Sequence, residues 1–288
     1  MRVFALFFAL ACVAAAPAPV PVPAEIDSRG ISSSLYDDLV RYTQYSSAAY
    51  QFVCAKPLGQ TLVRSFSGGN TQGFVARDDS RKEIVVSFRG TFSVADAITD
   101  IQILLTPLVS PGLSKSVSVH SGFLDAYNDV AQVVLNGVKG QVQAHPAYSI
   151  VVTGHSLGGA LASIGAVSIK TALPTTPMKL FTFGQPRTGD AAYASFVESA
   201  IGVNNIFRAV HTFDGVPTIP LPGYRHHATQ YWQFRDPVPI VDSPASTVTK
   251  CSGGEDPTCS NLIPSTGINA AHVLYFGQVM AINPLLCV

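Results

Sequence analysis

The stretch Ser149-Ile150-Val151-Val152-Thr153-Gly154-His155-Ser156-Leu157-Gly158-Gly159-Ala160 decides how the whole chain is organised. It opens with a β-branched apolar run that predicts a buried strand. Small and apolar residues follow from Leu157 to Ile169 and predict a buried helix. Between strand and helix lies the pattern G-x-S-x-G, formed by Gly154, Ser156 and Gly158. A serine on such a sharp strand-to-helix turn presents its hydroxyl above the sheet, so we predict that Ser156 is a nucleophile.

The residues around this serine support that interpretation. Glycine is needed on both sides of the turn because a Cβ atom there would clash with the neighbouring strand or helix. The amide of Leu157 lies at the start of the predicted helix, where it can donate to a developing oxyanion. The alternative is a glycine-rich loop that arises by chance, and the strand before it and the helix after it favour the nucleophile.

The composition excludes some functions. Of the 288 residues, 47% are hydrophobic and only 12% are charged, with 18 basic and 18 acidic side chains. Nucleic-acid binding depends on clustered Lys and Arg, so we expect no nucleic-acid partner. We also expect no cofactor, no bound metal and a monomeric chain.

The N-terminal region predicts secretion. Residues 1–16 have the pattern of a signal peptide, with Arg2, an apolar run to Val13 and three alanines. Residues 17–30 begin with alternating Pro, Ala and Val and predict a spacer or short pro-segment. Residues 31–288 form one predicted domain. No later segment has about 18 uninterrupted apolar residues, so we expect no transmembrane segment.

Four cysteines remain outside the signal, and an even count in a secreted chain predicts two disulfides. Three pairings of Cys54, Cys251, Cys259 and Cys287 are possible. Cys251 and Cys259 flank a Gly-Gly-Glu-Asp-Pro turn and have the spacing of a local pair, which leaves Cys54 and Cys287. Metal binding is the alternative, but the chain has no C-x-x-C motif.

Strands alternate with helices in the middle of the chain, which predicts an α/β domain with a mostly parallel sheet and an antiparallel part near its start. The hydrophobic spacing predicts helices at 32–50, 122–142, 191–201 and 269–280, and strands near 61–66, 72–77, 83–89, 117–120, 178–183, 205–211 and 227–234.

A serine hydroxyl needs a histidine to take its proton and an acid to orient that histidine, and in α/β-hydrolases the three follow in the order Ser, acid, His. Asp214 is the best acid, because it closely follows a predicted strand and precedes a proline-rich loop. An Asx-turn at the strand end is its alternative role. Asp190 also follows a strand, but its position suits a helix cap.

Three histidines follow Asp214. His226 and His227 open a predicted strand and suit structural roles, whereas His272 lies in a late loop before the predicted last helix, which suits the third member. We expect His155 to point into the fold and bond the backbone. The second oxyanion donor is expected from the loop after the third strand, which places Thr91 in that role.

Five ordered motifs in this chain together resemble the class 3 lipase family of secreted filamentous-fungal lipases and type A feruloyl esterases. They are Phe88-Arg89-Gly90-Thr91, Gly154-His155-Ser156-Leu157-Gly158-Gly159, Phe183-Gly184-Gln185-Pro186-Arg187, Asp214-Gly215-Val216-Pro217 and His272-Val273-Leu274-Tyr275-Phe276-Gly277.

The resemblance implies an α/β-hydrolase fold, a mostly parallel central sheet flanked by helices, and a short lid segment. It implies Ser156, Asp214 and His272 as a triad, with Thr91 and Leu157 as the oxyanion hole. It also implies the disulfides Cys54–Cys287 and Cys251–Cys259. A third disulfide of the family has no counterpart between Ser110 and Val119, so we expect a looser loop there.

The stretch from Val94 to Leu105 occupies the position of the family's lid. Its apolar residues Val94, Ile98, Ile101 and Leu105 have a spacing that predicts one face of a helix. Ile103 stands where the feruloyl esterase branch has a tyrosine that bonds the phenolic substrate. We therefore expect a secreted esterase of the lipase type, which acts on lipid esters at a lipid–water interface. The alternatives are a feruloyl esterase and, more remotely, a non-catalytic binding protein on the same fold.

Overall fold

The computed structural model describes residues 30–91 and 104–288. An eight-stranded sheet runs through the molecule in the order β1-β2-β3-β6-β7-β8-β9-β10. The five central strands, β3, β6, β7, β8 and β9, are parallel to one another. Antiparallel pairs lie at both edges of the sheet. The strands of this sheet are β1 Thr61–Gly68, β2 Thr71–Asp78, β3 Glu83–Phe88, β6 Ser149–His155, β7 Met178–Phe183, β8 Ile206–His211, β9 Gln230–Gln233 and β10 Val248–Lys250.

The central strands are buried on both faces, as is usual for a parallel sheet covered by helices. In β6, Ile150 and Val152 join one hydrophobic cluster, while Val151 between them joins the cluster on the opposite face. The first face is covered by helices α2 Ser121–Ala144, α3 Leu157–Ala172 and α4 Ala191–Ile201. The second face is covered by α1 Ser33–Ala48 and by the C-terminal segment. The predicted mostly parallel sheet flanked by helices is therefore confirmed.

One predicted loop is a regular hairpin. The stretch between Ser110 and Val119, expected to be loose, belongs to β4 Leu105–Ser110 and β5 Leu113–His120, which pair as a separate two-stranded sheet. A two-residue turn at Pro111 and Gly112 joins them, and Gly112 has a φ of +73° that glycine adopts without strain. The hairpin is therefore ordered by backbone pairing, without a disulfide.

The lid prediction is tested at one residue only. Leu105, expected on the apolar face of a lid helix, is the first residue of β4 and pairs with His120, so this part of the prediction is wrong. Strand pairing with β5 overrides the helical spacing at this position. The other lid residues, Val94, Ile98 and Ile101, lie outside the described residues.

The predicted last helix is also wrong. A 3₁₀ turn at Ala270–Val273 is followed by the small hairpin of β11 Leu274–Tyr275 and β12 Gln278–Val279. Phe276 and Gly277 form its turn with φ values of +47° and +76°, which no right-handed helix contains. The apolar spacing of this segment reflects packing of a turn and a hairpin against the core.

Two disulfides join Cys54 to Cys287 and Cys251 to Cys259, the pairs implied by the family resemblance. Cys251, Cys259 and Asp256 lie close enough to hold a metal, but both sulfurs are used in the disulfide. In the part of the chain that the structure describes, no helix is long and apolar enough to cross a bilayer.

Candidate active site

Ser156 occupies a tight turn between β6 and α3. Its φ of +59° and ψ of −127° are strained for a residue with a side chain. A Cβ on Gly154 would lie 2.1 Å from the carbonyl oxygen of Gly158, and a Cβ on Gly158 would lie 2.3 Å from that of Phe88. Both positions therefore require glycine. The turn is also fixed by its own backbone, because the Ser156 amide donates to the carbonyl of Phe183 at 2.8 Å.

Ser156 follows the carboxyl end of the central strand β6, as predicted, but the residue is not exposed to solvent. Its relative exposure is 0%, and Asp214 and His272 are equally enclosed at 1% and 0%. The sequence predicted a hydroxyl presented above the sheet, so the geometry of the turn agrees and the exposure does not.

The structure brings together the three residues singled out from the sequence. Nε2 of His272 lies 2.9 Å from Oγ of Ser156. Nδ1 of the same ring lies 3.0 and 2.9 Å from the two carboxylate oxygens of Asp214. With a proton on Nδ1 donated to the carboxylate, Nε2 is left free to accept the serine proton. The arrangement is that of a nucleophile, its base and the acid that orients the base.

Two further groups donate to the Asp214 carboxylate. The amide of Val216 donates to Oδ1 at 2.9 Å, and the hydroxyl of Tyr275 donates to Oδ2 at 2.5 Å. Burial and the adjacent Asp214 charge raise the pKa of Tyr275 well above its ordinary value, so the hydroxyl keeps its proton. These donors replace the water that a buried carboxylate loses.

The loop that follows Asp214 is held by Arg187. Nη1 of this residue donates to the carbonyls of Pro217 and Ile219 at 3.2 and 2.8 Å. Its Nε donates to Glu255 at 2.9 Å, and Glu255 belongs to the short loop closed by the second disulfide. The arginine therefore links the loop of the acid to a covalently closed loop.

The turn that carries His272 is fastened by side chains on both sides. Oδ1 of Asn269 accepts from the amides of Ala271 and His272 at 3.0 and 3.3 Å, and its amide nitrogen donates to the carbonyl of Phe213 at 2.7 Å. His211, at the end of β8, bonds the carbonyl of Ala271 through Nδ1 at 3.0 Å. The turns carrying the acid and the histidine are thus joined directly.

His155, the residue before the serine, is buried as expected and bonds the backbone. Its Nε2 lies 2.7 Å from the carbonyl oxygen of His272, and its Nδ1 lies 2.8 Å from the hydroxyl of Tyr50. Burial and the nearby His272 ring lower the pKa of His155 well below its ordinary value. This ring is therefore neutral.

The two residues expected to donate to an oxyanion lie near the serine in the chain or in the fold. Leu157 is the first residue of α3, where the backbone amide has no partner within the helix. Thr91 follows the end of β3, and the crowding between Phe88 and Gly158 places that strand end against the serine turn. Thr91 is half-buried.

The remaining candidates are elsewhere. Asp190 caps α4 by accepting from the amide of Tyr193 at 2.7 Å, as expected. His226 and His227 are buried in a polar cluster, where His226 bonds the carbonyl of Pro217 and His227 contacts Ser163 and Gln185. Neither contacts the triad residues.

Three residues that support the site, Tyr275, Asn269 and Tyr50, were not predicted from the sequence. Tyr275 lies in the motif that begins at His272, and its place there is the one signal that could have indicated it; the structure puts it at the end of β11. Asn269 is a preferred capping residue before a turn, which is a local signal. Tyr50 lies two residues beyond the end of α1, and its sequence context gives no sign of its hydrogen bond.

The sequence also matches a known protein family. Residues 85–224 match the model of the family described as Lipase (class 3). Over 215 residues the chain is 34% identical to the secreted mono- and diacylglycerol lipase 1 of Fusarium solani, a match that covers 74% of this chain and 62% of that protein. Over 225 residues it is 37% identical to a lipase of Rhizomucor miehei, covering 76% and 57%. The chain thus spans less than two thirds of these relatives.

A solved structure matches along almost its whole length. The lipase of Rhizopus microsporus var. chinensis superposes with a TM-score of 0.78 at 32% identity, covering 91% of this chain and 93% of that one. The α/β-hydrolase fold implied by the five motifs is therefore confirmed. The family model and this near-complete structural match lead to the same conclusion, and the chain belongs to the class 3 lipase family.

Proposed function

We propose that this chain is a secreted serine ester hydrolase of the lipase type, which cleaves acylglycerols or other lipid esters through an acyl-enzyme. The observation that carries the proposal is the unbroken contact from Oγ of Ser156 to Nε2 of His272 and from Nδ1 of His272 to Asp214. A non-catalytic binding protein on this fold has no need for this arrangement or for the strained serine.

In the first half of the reaction, Oγ of Ser156 attacks the ester carbonyl while its proton passes to Nε2 of His272. The carbonyl oxygen becomes an oxyanion, for which the amide of Leu157 and the amide of Thr91 are the proposed donors. Collapse of this intermediate breaks the ester bond, and the alcohol leaves with the proton from His272. An acyl group remains on Ser156.

In the second half, a water molecule attacks the acyl-enzyme and gives its proton to His272. The carboxylic acid is released and the proton returns to Oγ, so the enzyme is regenerated without a cofactor. Asp214 stabilises the imidazolium that forms in each half, and it does so as a carboxylate that keeps its charge.

The lipase type is favoured over a feruloyl esterase. The similar proteins described above are named as lipases, and the sequence has Ile103 where a feruloyl esterase has its phenol-binding tyrosine. A hydrolysis panel separates the two: p-nitrophenyl esters of rising chain length, emulsified triolein and methyl ferulate. We expect acyl-chain esters to be cleaved fastest. Faster cleavage of methyl ferulate would move the assignment to the feruloyl esterase branch.

The enclosure of Ser156 supports a movable lid in the stretch before Leu105. The apolar residues Val94, Ile98 and Ile101 give the stretch before Leu105 one apolar side if it is helical. Turning that side outward would uncover Ser156 and offer an apolar surface to lipid. Ile101→Asp should then abolish activity on emulsified triolein and spare a soluble short-chain ester. Equal losses on both would make this stretch structural only.

The catalytic assignment is tested by substitution of the three residues. Ser156→Ala should lower kcat by about 10⁶-fold, as is typical of triad serines. Asp214→Asn should lower kcat by about 10⁴-fold because the wrong tautomer of His272 is favoured. Asp190→Asn is the matched control, since Asp190 only caps a helix. If Asp190→Asn were the more damaging of the two, the acid would be assigned wrongly.

The secretion proposal rests on residues 1–16 and on a similar Fusarium solani protein that is named as secreted. Expression of the full chain in a fungal host should release the protein into the medium. N-terminal sequencing of the released protein should start after residue 16, and again after the spacer at 17–30 if that segment is a pro-segment. Retention of an intact N-terminus inside the cell would contradict it.

A further inference from the structure

We propose that Tyr50 and His155 are positioning residues, which hold His272 and the backbone before Thr91 in register with Ser156. The inference deepens the proposed function and rests on it. It starts from the hydrogen bond between Nε2 of His155 and the carbonyl oxygen of His272, at 2.7 Å.

The direction of each hydrogen bond follows from this carbonyl. A carbonyl oxygen can only accept, so Nε2 of His155 must carry the proton. The ring is neutral because it is fully enclosed and lies beside His272, so Nδ1 must be an acceptor. The Tyr50 hydroxyl at 2.8 Å is its donor. Tyr50 therefore selects the one tautomer of His155 that can bond His272.

This bond ties the nucleophile to the base at a second point. Oγ of Ser156 contacts the ring of His272, while the preceding residue, His155, bonds the backbone of His272. The first contact is broken and remade during the reaction, whereas the second is not. The second bond keeps the distance between serine and histidine while the proton moves.

The neutral state of His155 also matters for the charge that His272 acquires. The two rings lie close, with centroids 4.6 Å apart. A charged His155 would oppose the imidazolium that forms on His272 in each half-reaction. The hydroxyl of Tyr50 supports the uncharged ring, because it can donate to an Nδ1 atom that carries no proton.

Tyr50 reaches the other side of the site as well. The backbone of Gly90 packs against the Tyr50 hydroxyl, because a Cβ on Gly90 would lie 2.2 Å from that oxygen and 2.7 Å from the carbonyl oxygen of His155. Gly90 directly precedes Thr91, the proposed oxyanion donor. One buried hydroxyl thus sets the backbone before the oxyanion donor and, through His155, the backbone of the base.

Two substitutions of His155 separate its two hydrogen bonds. The amide nitrogen of glutamine reaches about as far as Nε2, so His155→Gln keeps a donor for the carbonyl of His272. The shorter asparagine reaches only as far as Nδ1, so His155→Asn keeps the contact with Tyr50 and loses that donor. Tyr50→Phe removes the hydroxyl. Tyr45→Phe is the control, because the Tyr45 hydroxyl is buried and has no hydrogen-bond partner among the described residues.

We expect His155→Asn and Tyr50→Phe to lower kcat on p-nitrophenyl butyrate by about 10- to 100-fold with little change in KM, as misplacement of a catalytic group does. His155→Gln should retain kcat within about threefold of the wild type, a difference of less than 1 kcal/mol in the barrier. Tyr45→Phe should behave as the wild type. Equal losses of kcat in His155→Gln and His155→Asn that follow their melting temperatures would overturn the inference.

A second readout does not depend on ester hydrolysis. The proton between Nδ1 of His272 and Asp214 should give a low-field resonance in the ¹H NMR spectrum of the full chain. It should shift in His155→Asn and Tyr50→Phe, and keep its position in His155→Gln and Tyr45→Phe. An inactive wild type would contradict the proposed function alone, while an unchanged resonance in all four variants would overturn the positioning role.

Discussion

The hydroxyl of Tyr275 lies 2.5 Å from Oδ2 of Asp214, and the exposed fractions of the two residues are 0% and 1%. Together with His272 and the amide of Val216, this hydroxyl surrounds the carboxylate with donors. Protein donors therefore take the place of water around this buried carboxylate.

Removal of this hydroxyl should weaken the base that Asp214 orients. A hydrogen bond to a charged group contributes about 1.5–3 kcal/mol, so Tyr275→Phe should lower kcat/KM by about 10- to 100-fold. The measurement is hydrolysis of p-nitrophenyl butyrate at pH 8, with Tyr45→Phe as the control for a lost buried hydroxyl. Unchanged kcat/KM would mean that Tyr275 has only a packing role.

The strained backbone of Ser156 should lower the stability of the folded protein. Its positive φ costs about 1–3 kcal/mol for a residue with a Cβ, and glycine adopts such values freely. Ser156→Gly should therefore melt at a higher temperature than Ser156→Ala, by about 2–4 °C for each kcal/mol. Both variants lack the nucleophile, so calorimetry compares them without a difference in activity. A higher melting temperature for Ser156→Ala would show that the turn is not strained.

Buried histidines predict a loss of stability in acid. Burial and the nearby Arg208 charge lower the pKa of His227 to about 3, against 6.5 for an exposed histidine. The unfolded chain then binds a proton that the folded chain does not, so the free energy of unfolding falls as the pH drops from 6.5 towards 3. One such group contributes up to about 1.4 kcal/mol per pH unit.

Urea unfolding at pH 8, 6, 5 and 4 measures this effect. His227→Gln should flatten the acid side of the stability curve by about 1.4 kcal/mol per pH unit. At pH 8 both proteins carry no charge at this position, so the difference there gives the cost of lost packing alone. Parallel curves for the two proteins would show that His227 takes up its proton at the same pH in the folded and unfolded chains.

The two disulfides should contribute unequally. Cys54 and Cys287 are 233 residues apart in the sequence, and Cys251 and Cys259 are 8 apart. In the chain-entropy model the first is worth about 5.5 kcal/mol and the second about 2.5 kcal/mol. Replacement of each pair by two serines, followed by urea unfolding at pH 8, compares them. A larger loss for the Cys251–Cys259 pair would contradict the entropic ordering.

The central strands, the serine turn and the order of the triad residues could be predicted because each depends on local pattern. Ile150 to Val152 form an apolar run that only a buried strand explains, and the glycines beside Ser156 are dictated by close backbone contacts. The acid could be chosen because parallel strands end at one edge of a sheet.

Features that depend on contacts distant in sequence could not be predicted. Leu105 pairs with His120, and local spacing does not reveal a strand that is stabilised by hydrogen bonds to its partner strand. The segment after His272 has apolar residues at helical spacing, yet Phe276 has a positive φ because a hairpin fits the core there. Tyr50 is separated from His155 by 105 residues, so its hydrogen bond exists only in the folded chain.

The long-range disulfide closes the chain from Cys54 to Cys287 into one covalent loop. Both Ser156 and His272 lie within this loop, and so does the stretch from Val94 to Ile103. A protease that cuts the loop once opens it without releasing a fragment. In a medium rich in proteases, a single nick would leave nucleophile, acid and base on one covalently joined molecule.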